Sequence, residues 1–125
     1  MSATRRVLFV EDDDLIAQMY RLKLEQDGWL VDRAVEGREV LRLATTHPPD
    51  LILLDLRLAG MDGMTVLKGL LADELTRRIP VVVFSNSSRD DVEAREALRL
   101  GARAFLVKAE TEPRRLSELL AAYVA

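Results

Sequence analysis

Short apolar runs alternate along the chain with longer stretches of helical spacing, and the alternation repeats five times. Val7-Leu8-Phe9-Val10 is continuous and rich in β-formers, which predicts a strand buried on both faces. From Leu15 the apolar residues fall at 15, 16, 19, 20, 22 and 24, a helical stripe ending near Gly28. Trp29 to Ala34 predicts a second, weaker strand nearer a sheet edge. Gly37 to Thr45 predicts a short helix carrying Val40, Leu41 and Ala44, closed by His47-Pro48-Pro49. Leu51-Ile52-Leu53-Leu54 is the third strand. A loop with Gly60 and Gly63 follows, then a helix with Val66, Leu67, Leu70 and Leu71 on one face. Pro80 introduces Val81 to Phe84, the fourth and most hydrophobic strand, and Asp90 to Leu100 is a helix stopped by Gly101. Ala104 to Val107 is the fifth strand. The last helix is expected from Thr111, with Pro113 in its first turn, and buries Leu116, Leu119, Leu120, Tyr123 and Val124.

Strands separated by helices require right-handed crossovers, hence a parallel sheet with helices on both faces. Five such units in 125 residues fit a doubly wound (βα)5 flavodoxin-like α/β fold, a five-stranded parallel sheet in the order 2-1-3-4-5. No linker, low-complexity stretch or further repeat interrupts the pattern, so one domain is expected over 1–125.

Composition narrows the function. Eighteen Lys and Arg stand against 21 Asp and Glu, a net charge of −3 with the basic residues scattered, so no field for nucleic acid is expected. There is no cysteine, hence no disulfide, thiolate nucleophile or Cys-ligated metal, and the single histidine, His47, excludes multi-His centres. No apolar run approaches the roughly 18 residues needed to span a bilayer. The N-terminus leads straight into the first strand, unlike a secretory signal, and a soluble cytoplasmic domain is expected.

In an open α/β sheet, ligands bind beyond the carboxyl ends of the strands, at the switch in strand order. Glu11, Asp12, Asp13 and Asp14 follow the first strand, Asp55 the third, Ser85, Asn86, Ser87 and Ser88 the fourth, and Lys108 the fifth. With strands one and three adjacent, Glu11, Asp12 and Asp55 converge, flanked by Ser85 and Lys108. Three carboxylates sharing a pocket repel unless a cation or a proton intervenes. Oxygen-only ligands suit Mg²⁺, which keeps several waters and often binds a phosphoryl oxygen as well. Asp55 can then act as a nucleophile that becomes an aspartyl phosphate, with the Lys ammonium and Ser hydroxyl as partners for phosphoryl oxygens. The acidic first loop lacks the glycines of a phosphate cradle, which argues against a nucleotide. Taken singly these residues have blander readings: Asp13 or Asp14 as a helix cap, Asp55 as a turn residue, Lys108 as a solvated charge. Their joint placement at strand ends favours function. His47 reads as structural or incidental, and Met61 and Met64 as packing.

The chain resembles a receiver domain of the two-component response regulators over essentially its whole length. The resemblance rests on Leu8-Phe-Val-Glu-Asp-Asp13, Pro49-Asp-Leu-Ile-Leu-Leu-Asp55, Gly60-Met-Asp-Gly63, Ile79-Pro-Val81 with Ser85, and Gly101 through Lys108. It implies that Asp55 is the phosphoacceptor and that Asp12 and Asp55 ligate Mg²⁺ directly. It further implies that Glu11 acts through a metal-bound water and that the Arg57 backbone carbonyl completes the protein ligands. Ser85 matches the hydroxyl that moves toward the phosphoryl group, Lys108 the family's lysine, and Phe105 the aromatic that swings inward on activation. The implied phosphoryl donor is a sensor histidine kinase or a histidine phosphotransfer protein, and the phosphorylated domain changes its affinity for a downstream partner that the sequence does not identify.

Several positions depart from the family pattern. Ala59 and Ala109 stand where prolines are usual. A cis Lys108–Ala109 bond would cost roughly 3 kcal/mol, so a trans bond is expected. Arg57 and Asn86 occupy positions that tune dephosphorylation, and Arg103-Ala104 stands where the winged-helix branch shows an acidic pair used in dimerisation. Two other readings compete: a haloacid-dehalogenase-type phosphohydrolase, which needs a second acid where Arg57 stands, and a receiver-like scaffold that binds without phosphorylation.

Overall fold

The computed structural model of the chain describes residues 4–58, 62–86 and 91–124. Strands β1 (Arg6–Val10), β2 (Leu30–Ala34), β3 (Leu51–Leu54), β4 (Val81–Ser85) and β5 (Ala104–Val107) form a parallel sheet in the order β2-β1-β3-β4-β5, as the sequence predicts. Helices α1 (Asp14–Gln26), α2 (Gly37–Thr46), α3 (Gly63–Ala72), α4 (Val92–Leu100) and α5 (Pro113–Ala121) connect and follow them.

Alternation along each strand sorts the side chains between two cores, because successive residues point to opposite faces. Val7, Phe9, Leu51, Leu53, Val82 and Phe84 pack with Tyr20, Leu24, Leu116 and Leu120 of α1 and α5. Leu8, Val10, Ile52, Leu54, Val81 and Val83 pack with Val40, Leu67, Leu70 and Ala97 of α2, α3 and α4. Covering both faces is what requires the uninterrupted apolar runs. β2 lies at an edge, where it carries exposed Leu30 and the half-buried charges Asp32 and Arg33.

Three expectations need correction. The apolar stripe of the first helix is in fact two faces: Ala17, Tyr20 and Leu24 are buried, whereas Leu15, Met19 and Leu22 face outward at 79%, 49% and 59% exposure. Six apolar residues in ten are too many for one helical face, and only the packing against α5 decides which face turns inward. The last helix begins at Pro113, not Thr111; Lys108–Glu110 form a separate turn of 3-10 helix, and Glu112 stands at the N-cap position of α5 without a side-chain capping bond. The fourth helix begins at Val92, because the Asp91 carboxylate accepts from Glu93 N–H and so takes the N-cap position. Asp13, one of the two suggested caps, accepts from the N–H groups of Leu15 and Ile16 at 3.0 and 3.1 Å. Asp90, Ala59, Gly60, Met61, Ser87 and Ser88 lie outside the described residues.

Gly63 is required for a steric reason. A Cβ on it would sit 2.3 Å from Leu56 Cα and 2.7 Å from the Asp55 carbonyl oxygen. Its N–H donates to Leu56 O at 2.9 Å, which fastens the start of α3 against the residue beside Asp55. Backbone on both sides leaves no flexible group to give way. Gly63→Ala is therefore expected to destabilise the fold by at least about 2 kcal/mol in urea melts, the scale of forced overpacking. A loss under about 0.5 kcal/mol would show that this approach is not a constraint.

Candidate functional site

The sheet itself brings the acidic residues together. Past β1, Glu11 N–H donates to Ala34 O at 3.0 Å, and past β3, Asp55 N–H donates to Val10 O at 3.1 Å. The parallel ladder thus runs on beyond the named strands and fixes Glu11 and Asp55 as neighbours. Ser85 ends β4 in register with Val107, and Lys108 follows directly. Carboxylate oxygens of Glu11, Asp12 and Asp55 all lie within 4.8 Å of one another. Glu11 and Asp55 are 1% and 6% exposed, Ser85 is fully buried, and Asp12 is half-buried at the rim.

The Lys108 ammonium lies between two of these acids, 2.5 Å from Glu11 Oε1 and 2.8 Å from Asp55 Oδ2. Arg57 N–H donates to the other Asp55 oxygen at 3.0 Å, and Asp13 N–H donates to Glu11 Oε2 at 3.2 Å. Burial pushes the Glu11 carboxyl above its ordinary pKa of 4.5, and the attraction of Lys108 offsets that only in part. Burial alone would pull Lys108 down, but hydrogen bonds and charge from Asp55 and Glu11 outweigh it and raise Lys108 above 10.5. Three carboxylates against one ammonium leave the cluster electronegative. Oxygen donors at this spacing fit a small hard cation such as Mg²⁺ and do not fit a soft metal.

The other predicted residues fall as follows. Phe105 is buried in β5 at 7% exposure, packed in the core formed with α3 and α4. The Arg57 and Asn86 side chains are exposed at the ends of the segments that follow β3 and β4. No peptide bond among the described residues is cis, so Lys108–Ala109 is trans, as expected. His47 caps the end of α2 from an exposed position, and Met64 is buried packing. Arg103 is exposed and Ala104 half-buried at the start of β5.

Two residues escaped the reading of the sequence. Arg33, in the neighbouring strand β2, donates from Nε to Glu11 O at 3.0 Å and pairs through Nη1 with Asp14 at 2.8 Å, clamping the acidic loop from the side. Its signal was a charged pair, Asp32-Arg33, within a strand placed beside the first by the 2-1-3 order. Tyr20, legible only as core, donates its hydroxyl to Thr111 O at 2.7 Å and ties α1 to the loop that follows Lys108. Its phenol is shifted upward, chiefly by burial.

With this geometry in hand, the comparisons with known proteins converge. Residues 7–121 match the family model of the response regulator receiver domain. The chain is 36% identical over 111 residues to the polar-differentiation response regulator DivK of Brucella ovis, covering 89% of each chain. Its fold matches the chemotaxis response regulator CheY4 of Vibrio cholerae with a TM-score of 0.86 at 26% identity, over 98% of this chain and 100% of that one. It also matches the BeF3-activated N-terminal receiver domain of Klebsiella pneumoniae RstA, with a TM-score of 0.85 at 27% identity and coverage of 94% and 97%. The chain belongs to the receiver domain family of two-component response regulators, signalling proteins that pair with histidine kinases or phosphotransfer proteins and generally bind Mg²⁺ at an acidic cluster. No helix among the described residues is long and apolar enough to cross a membrane.

Lys108→Met would leave two buried carboxylates side by side with no counter-ion. Removing one partner of a buried ion pair costs about 3 kcal/mol or more, and that loss is expected in urea melts at pH 8 in EDTA. The sign of its pH dependence follows from Glu11. A carboxyl whose folded pKa lies above its unfolded value binds a proton preferentially in the native state, so stability declines as pH rises from 4.5 through the folded value. Without Lys108 that upward shift grows. The stability gap between wild type and variant should therefore narrow when melts are repeated near pH 5, and an unchanged gap would refute the coupling.

Proposed function

We propose that this chain receives a phosphoryl group on Asp55 and that its partner affinity changes in response. The observation that carries the reading is one carboxylate, Asp55, held by Lys108 on one oxygen and by Arg57 N–H on the other, beside Glu11 and Asp12. A carboxylate oxygen of Asp55 attacks the phosphorus of a phosphohistidine, the new P–O bond forms as the P–N bond breaks, and the imidazole leaves with that electron pair and takes up a proton. Asp12, Asp55 and the Arg57 backbone carbonyl would hold Mg²⁺, with Glu11 acting through a bound water. When bound, the ion supplies positive charge that offsets repulsion between the phosphoryl oxygens and the carboxylates.

Lys108 has a double task. It neutralises Glu11 and Asp55 before transfer, and its ammonium can follow the negative charge onto the phosphoryl oxygens afterwards, because it sits against the oxygen of Asp55 already. Ser85, buried at the end of β4, is the hydroxyl that engages the phosphoryl group, and Phe105, two residues from β5's last position, carries the change to the α4 side. Arg57 and Asn86 lie on the solvent side and tune access of the water that hydrolyses the acyl phosphate, which the domain itself supports. The phosphoryl donor is a sensor histidine kinase or a histidine phosphotransfer protein in the cytoplasm. The receiver unit is taken to span 1–125, without contact to nucleic acid or membrane. The dehalogenase-type reading draws no support: the Arg57 side chain is exposed where that chemistry needs an acid. The scaffold reading draws none either, since a phosphoacceptor, its lysine and an acidic cluster stand together.

The test is intact-mass analysis after incubation with acetyl phosphate and Mg²⁺. Wild type should gain one phosphoryl group and Asp55→Asn none while remaining folded; a phosphoryl group on another residue of that variant at the wild-type rate overturns the assignment. Asn86→Ala and Arg57→Ala should still be phosphorylated, with acyl-phosphate lifetimes altered several-fold, on the scale of one positioned group in general acid–base steps or less. Unchanged lifetimes in both would mean that neither side chain faces the water's path.

A further inference from the structure

At the pole of the sheet opposite Asp55, a cleft of about 560 Å³ opens below the amino ends of β1, β3, β4 and β5. Five residues of β1 at roughly 3.3 Å each separate it from the acidic cluster by about 16 Å, so the two places are distinct. Its lining is unlike the rest of the surface. Arg5, Arg78 and Arg103 all reach it, and among the described residues Asp50 is the only acid there. Asp50 is already engaged, accepting from Arg6 N–H at 2.7 Å. Some other arginines are matched to acids, as in Arg6 with Asp32, Arg38 with Glu36 and Arg99 with Glu96, so it is the gathering of three around one concavity that sets this place apart. None of the three cleft guanidinium groups has an acidic partner among the described residues; Arg5 lies 6.0 Å over the Trp29 ring instead. In a chain with a net charge of −3, three unmatched arginines around one concavity are a local reversal of sign.

We propose that this cleft binds a nucleoside polyphosphate. Guanidinium groups present forked donors that match phosphate oxygens two at a time, and three of them around one cleft suit more than one phosphate. The remaining wall supplies a second chemistry: Pro80 and the half-buried ring of Tyr123 offer flat apolar surface for a planar base. The volume falls within the range that encloses small organic ligands. The backbone beneath is rigid, because Arg103 N–H donates to Val81 O at 2.8 Å and Ile52 N–H to Pro80 O at 2.9 Å. The acidic loop after β1 is unsuited to a nucleotide's phosphates, whereas the opposite pole offers them three guanidinium groups in one concavity.

The experiment is calorimetric titration of the full chain with ATP in EDTA, using the Asp55→Asn protein so that the phosphoacceptor pocket takes no part. Saturable binding that weakens with added salt is expected. Arg78→Ala and Arg103→Ala, both at exposed side chains, should each weaken it by about tenfold or more, as loss of a charge-assisted hydrogen bond does. Arg115→Ala, outside the cleft, should leave it unchanged. Asp50→Asn should tighten it severalfold, because it removes a negative charge from the lining while keeping the acceptor for Arg6. Tyr123→Ala should weaken ATP but leave inorganic pyrophosphate unaffected, and ATP should bind better than pyrophosphate. No saturable binding up to about 1 mM, the weak end of specific affinity, overturns the proposal. So does binding indifferent to both arginines, and pyrophosphate binding as tightly as ATP overturns the nucleotide assignment. Because Asp55 is already replaced, failure here leaves the phosphoacceptor reading untouched.

Discussion

The ammonium of Lys108 is the group on which the functional end of this molecule depends. Glu11 and Asp55 are almost entirely withdrawn from water, and at an effective dielectric near 20 two such charges about 5 Å apart repel by roughly 3 kcal/mol. A buried cation touching both turns that repulsion into a bridge between the first and third strands and the fifth. The bridge is incomplete, since Asp12 adds a third carboxylate at the rim. A fold that balanced its charge fully would have no reason to take a divalent cation or a phosphoryl group with it. Here the residual negative charge makes the acidic pocket suited to a small hard cation, and the lysine lessens the repulsion between the buried carboxylates.

Geometry of this kind is available because the sheet is parallel. All five strands end at the same pole, so a polar residue placed directly after an apolar run arrives there regardless of its distance along the chain. The apolar runs themselves are anchored twice over, by alternate residues facing the α1–α5 layer and the α2–α4 layer. Asp55 is thus carried on a strand with no exposed residue, with Gly63 closing against its carbonyl from the other side. Groups that must meet within a few tenths of an ångström are set on the least deformable part of the structure, whereas the side chains of Arg57 and Asn86 project from its margins.

The opposite pole shows the same logic with the sign reversed. The strands begin together just as they end together, and residues just before them gather as surely as those just after. Arg5 and Arg103 reach the cleft for that reason, although 98 positions of sequence numbering separate them. Acid collects at one end of the sheet and unmatched arginine at the other, and the charge of the whole chain conceals both.

The sequence by itself determined the number and order of the elements, the parallel sheet and its strand order, and the set of residues that follow each strand. Uninterrupted apolar runs and helical spacing are local signals, and the crossover rule leaves few ways to assemble them. It also determined that Asp12, Glu11, Asp55, Ser85 and Lys108 would share one end, since that depends on topology alone. Tertiary structure decided what depends on distance and on competition between faces. Six apolar residues in α1 did not say which would be buried; packing against the sheet and α5 chose Tyr20 and Leu24, together with Ala17 from outside that stripe. The start of α5 shifted to Pro113 because the chain first spends a tight turn, Lys108–Glu110, whose geometry no periodicity announces. Arg33 gripping Glu11 O and the Tyr20 hydroxyl on Thr111 O are contacts between groups 22 and 91 positions apart, invisible to any local pattern. That Lys108 bridges two carboxylates rather than facing solvent follows from burial, which sequence spacing does not encode and only a completed core imposes.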